Sequence, residues 1–105
     1  MEKIDEIIFT HLTAMDLINK EITINDRKRH ITIEDYDNRI KLFEKYLSDM
    51  NIIGNFIFGL VEVEDEYSIN ISEVVIVIFT TIYNKLYLRI NNAKRKRGIM
   101  KCNQK

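Results

Sequence analysis

The chain has no proline, a single cysteine, three glycines and two histidines in 105 residues. One cysteine, Cys102, excludes an intramolecular disulfide and a multi-cysteine zinc site, and fits a reducing compartment. Gly54, Gly59 and Gly98 stand apart, so the sequence has no glycine-rich loop to cradle a phosphate and no nucleophile elbow. His11 and His30 are too few and too poorly placed for a histidine metal site, and Cys102 has no paired base beside it. No cofactor and no enzymatic activity are therefore expected. Hydrophobic runs are short as well. The longest, Val74 to Tyr83, contains Thr80 and Thr81 and gives way to Asn84 and Lys85, well under the ~18 apolar residues that mark a membrane span. Met1 to Glu6 lacks the basic start and apolar stretch of a signal peptide. These absences predict a cytoplasmic protein with no membrane partner.

What is abundant is isoleucine and charge. Hydrophobic residues make up 46% of the chain, with 19 Ile and two Ala, enough to bury a core. The length is that of one domain, since domains cluster near ~100 to 150 residues. The net charge is +0, yet the charges are segregated: residues 1–73 hold all 16 acids and eight bases, whereas residues 74–105 hold eight bases and no acid. The basic run from Lys94 to Arg97, with Lys101 and Lys105, predicts a basic tail over 94–105 after a domain over residues 1–93. Ile, Lys and Asn together fill 39 positions, the composition of an AT-rich coding sequence such as a low-GC bacterium, plasmid or phage supplies.

Apolar spacing predicts the elements. Ile4, Ile7, Ile8, Leu12, Met15 and Ile18 recur at three and four, a helical stripe over 2–19. Over 21–33, Ile22, Ile24, Ile31 and Ile33 alternate with Thr23 and Thr32 around a polar centre. Two readings stay open there: a hairpin of Ile-Thr-Ile strands with basic residues at its tip, or a strand end plus a short helix before a turn. Thr32 and Asp35 form a capping-box pattern, and Glu34, Asp35 and Asp37 crowd the first turn of a helix over roughly 33–51 that stops before Gly54. Residues 56–63 and 67–71 then read as two strands joined at the acidic tip Glu64-Asp65-Glu66. From Ser72 a long helix carries Val75, Phe79, Ile82, Leu86, Ile90 and Ala93, with Gly98 just past its end. Its first half is apolar on nearly every side, so it is expected to pack against a second copy, making a homodimer through residues 72–93.

This order, together with Leu42-Phe43-Glu44-Lys45-Tyr46-Leu47 running into Asn51-Ile52-Ile53, resembles a winged helix-turn-helix over residues 2 to about 92. The resemblance implies a small α+β domain of three helices with a β-hairpin, binding double-stranded DNA as a dimer through its terminal helix. Two features redirect the contact surface. The start of the recognition-type helix, Ile33 to Asp37, carries three carboxylates, and the wing tip is acidic, so both would face a polyanion with like charge.

The basic clusters are left as the contact candidates. Arg27, Lys28, Arg29 and His30 form one and Arg95, Lys96 and Arg97 another, each able to displace counterions from phosphates. Thr32, Asn38 and Lys41 are additional candidates for nucleic-acid contact beside them. A solvated loop and a helix end decorated with cations explain the same residues without a partner. The sequence thus points to a non-enzymatic DNA-binding protein, a plasmid or phage accessory factor or transcription regulator. Its alternative is a small protein-binding module or inhibitor that uses the acidic surface of residues 1–73.

Overall fold

A computed structural model describes residues 2–61 and 66–103. They form three helices, α1 (Glu2–Asp26), α2 (Ile33–Val61) and α3 (Glu66–Asn103). No strand occurs among the described residues, which overturns the α+β class and the β-hairpin expected after Gly54. Residues 56–61 complete α2 and residues 66–71 open α3, while residues 62–65, most of the expected acidic tip, lie outside the described residues.

The physical reason is visible in the core. Met15, Ile18, Ile22 and Asn25 are all buried at steps of three and four, so the helical stripe of α1 runs on through the segment whose Ile-Thr-Ile alternation suggested a strand. Met50, Ile53, Gly54 and Ile57 do the same for α2. Gly54 is not a stop signal: a Cβ there would lie 2.9 Å from Cζ of Phe79 on α3, so the missing side chain lets the two helices approach closely. In α3 the buried Val75, Ile82, Leu86, Ile90 and Ala93 hold β-branched residues in a helix against their local preference, because burial of each large apolar side chain, about 1.5–3 kcal/mol, outweighs a propensity deficit of a few tenths.

The helices run up, down and up. Arg39 meets Asp26 and Tyr46 meets Glu21, so α2 is antiparallel to α1; Lys94 meets Glu44 and Arg97 meets Asp37, so α3 is antiparallel to α2. Lys85 donates to Asn19 at 3.0 Å and Arg89 reaches Asp26, which sets α3 parallel to α1. Phe43, Met15, Met50 and Leu86 are wholly buried at the centre. The result is a rod of 59 × 20 × 16 Å. No helix of the described residues is long and apolar enough to cross a membrane. Helix α3 continues unbroken through Gly98 to Asn103, so most of the expected basic tail is the last three turns of that helix.

Candidate nucleic-acid interface

Three chain segments meet at one end of the rod: the C-terminus of α1, the N-terminus of α2 and the C-terminal part of α3. Their charges follow the helix dipoles. Carbonyl ends favour cations, and Arg27 to Arg29 and Arg95 to Lys101 follow or occupy them; the amide end of α2 favours anions, and Glu34, Asp35 and Asp37 sit there. The start of α2 is closed by its own residues. Thr32 accepts a hydrogen bond from the Asp35 amide at 3.1 Å, while the Asp35 carboxylate accepts from the Thr32 and Ile31 amides, each at 2.9 Å, forming the capping box. Those amides, the Thr32 one first, hold the Asp35 carboxyl below its ordinary range.

Below the cap lies a three-helix ion cluster. Arg39 donates to Asp26 at 2.6 Å and also to the buried Asn25 side chain; Arg89 donates to the other oxygen of Asp26 at 2.9 Å. Partial burial raises the Asp26 carboxyl, but the bonds from Arg89 and Arg39 outweigh it and hold the group below its usual value. Arg39 also lies over the Phe43 ring, 4.6 Å from its centre.

Beside this cluster opens a cleft of about 460 Å³. It is lined by Lys28, Arg29 and His30 of the α1–α2 turn, by Tyr36 and Arg39 of α2, and by Arg89 and Lys96 of α3. Lys28, Arg29 and His30 of one basic cluster and Lys96 of the other, more than sixty residues apart in sequence, therefore line one hollow. Arg27, Lys28, Arg29, Arg95 and Lys96 are exposed, and among the described residues none of them makes an ion pair. Asp26 is the acidic residue in the lining, and it is already engaged by two guanidiniums.

The other candidates fare differently. Arg97 is committed to Asp37 at 3.0 Å, and Arg95 is not in the cleft lining but donates to Asn92, which is. Thr32 serves the cap. Asn38 lines a smaller recess with Lys28, Arg29 and Arg39, and Lys41 is exposed on α2 outside both hollows. Arg27 is exposed beside the cleft but not in its lining. Arg39, Arg89 and Tyr36 are members that the sequence pattern does not single out. Arg39 and Arg89 flank the buried Ile40 and Ile90, and their placement follows only once α1 is extended to Asp26. Among the described residues no group of three or more His, Cys, Asp or Glu side chains is placed to hold a metal ion.

Compared with known protein families, with curated proteins and with solved structures, the chain finds no match.

Proposed function

We propose that this protein is a non-enzymatic nucleic-acid-binding protein that takes phosphates in the basic cleft. The observation that carries this reading is the convergence of Lys28, Arg29 and Lys96, exposed and without ion-pair partners among the described residues, on one hollow built from three helices. Such charges release condensed counterions when they pair with a phosphate backbone. Arg39 and Arg89 contribute a second layer of positive potential while fixed in place by Asp26. The acidic turns along α1 and α2 keep the rest of the surface from competing for the same polyanion.

A labelled oligonucleotide titrated across a salt series tests this. With three phosphates engaged, log Kobs falls against log salt with a slope of about −2 to −3, and replacing Arg29 and Lys96 by Ala brings the slope to about −1. Absence of binding at low salt overturns the proposal and favours a protein partner for the acidic surface.

A homodimer through α3 is part of the proposal. Val74, Val77 and Leu88 are 60%, 66% and 57% exposed and share one face of that helix, with the exposed Thr81 and Asn84 between them, and a second copy would cover these apolar side chains. Sedimentation equilibrium of Val77→Lys with Leu88→Lys then gives monomer where the parent chain gives dimer; a monomeric parent chain refutes it.

A further inference from the structure

Resting on the nucleic-acid reading, we infer that the cleft selects a single strand over a duplex, with a base stacked on its His30–Tyr36 wall while Lys28, Arg29 and Lys96 hold the flanking phosphates. Three observations support it.

The first is size. A hollow of about 460 Å³ lies in the ~300–1,000 Å³ range of sites that enclose one small molecule. It has room for a nucleotide or two of flexible strand, whereas a duplex, whose bases are paired and stacked, cannot place a base in it without the cost of unstacking it.

The second is what lies outside. The start of α2, outside the cleft lining, carries Glu34, Asp35 and Asp37, and the cations Lys94 and Arg97 are already paired with Glu44 and Asp37. A rigid duplex laid across this end meets carboxylates together with the free lysines and arginines. A strand that bends into the cleft avoids them.

The third is the aromatic wall. His30 and Tyr36 both line the cleft, and their rings pack with centres 5.9 Å apart and planes tilted by 32°. The Tyr36 hydroxyl donates to the His30 carbonyl at 3.1 Å, which ties the turn to α2 and sets the phenol in place. Partial burial, and then the nearby Arg39, lower the His30 pKa, so at neutral pH the imidazole is an uncharged ring whose contribution is a π face. A cationic groove with aromatic faces is the pattern by which proteins hold single strands without sequence readout.

The test uses the full chain with three probes: a labelled 12-nucleotide single strand, a hairpin duplex containing the same sequence, and inorganic polyphosphate. The single strand is expected to bind about tenfold more tightly than the duplex. Tyr36→Leu with His30→Ala lowers single-strand affinity about tenfold and leaves polyphosphate binding unchanged, whereas Tyr36→Phe, which keeps the ring, retains it. Circular dichroism confirms that the variants remain helical. A duplex that binds as tightly as the strand, or a Tyr36→Leu effect equal on strand and polyphosphate, overturns the inference while the polyanion reading stands. Failure of all three probes to bind overturns both.

Discussion

Asp26 fastens the last turn of α1 to both other helices, and Asp26→Asn separates its two consequences. Its partner Arg39 has a side chain only 13% exposed, so that charge-assisted bond contributes about 1.5–3 kcal/mol. The Arg89 pair is more open, with side chains 32% and 30% exposed, and solvent screening leaves it about 0.2–1 kcal/mol. An asparagine keeps one acceptor oxygen, and Asn25 still accepts from Arg39, so part of the loss is recovered. The expected net destabilisation is about 2 kcal/mol, which lowers the urea midpoint by about 1 M for a slope near 2 kcal/mol/M. The same substitution removes the negative charge from the cleft lining and leaves two guanidiniums less neutralised, so oligonucleotide affinity rises even as the fold weakens. Paired urea melts and anisotropy titrations read both effects. A midpoint within ~0.2 M of the parent chain would show that Asp26 does not tie the helices, and a fall in affinity would remove the electrostatic account of the cleft.

Acid acts on the same group. Because the folded state depresses the Asp26 and Asp35 carboxyls, the stability they contribute is present above the ordinary aspartate value of about 4 and is lost as pH falls through it toward the lower folded values. Melts between pH 6 and pH 2.5 are expected to show that decline, and Asp26→Asn to show a smaller one. Gly59 and Gly98 lie inside helices with negative φ, and a Cβ on either meets nothing within 4 Å. Alanine at each is expected to raise stability by about 0.5–1 kcal/mol, measured as a higher melting temperature, whereas at Gly54 the contact with Phe79 offsets that gain. Phe43→Ala empties the centre of the core and is expected to cost about 3–5 kcal/mol in denaturant melts.

Helices with a clean apolar stripe are legible in the amino-acid order: Ile8, Met15 and Ile18 mark α1, Ile40, Phe43 and Met50 mark α2, and Val75 to Ala93 mark α3. The capping box at Thr32 and Asp35 is legible too. Short windows mislead. Ile22-Thr23-Ile24 alternates like a strand, but Ile22 continues the spacing of Met15 and Ile18, and burial of that longer stripe decides. Gly54 carries the usual sign of a helix end; its role is close helix approach, which depends on Phe79, twenty-five residues on. The turn cluster Arg27 to His30 is visible as charge, but the placement of Lys28, Arg29 and His30 in one hollow with Lys96 is not, because that depends on how far α1 runs before the chain reverses.

The elongated shape bears on how this molecule behaves in solution. A compact chain of about 100 residues has a radius of gyration near 13 Å, whereas this one reaches 17.0 Å. The extra length increases hydrodynamic drag, so a lone 12.5 kDa chain elutes from a sizing column ahead of a sphere of equal mass and imitates a heavier species. Elution volume therefore overstates subunit number for this protein, and only a shape-independent mass, from equilibrium centrifugation or static light scattering, distinguishes one rod from two.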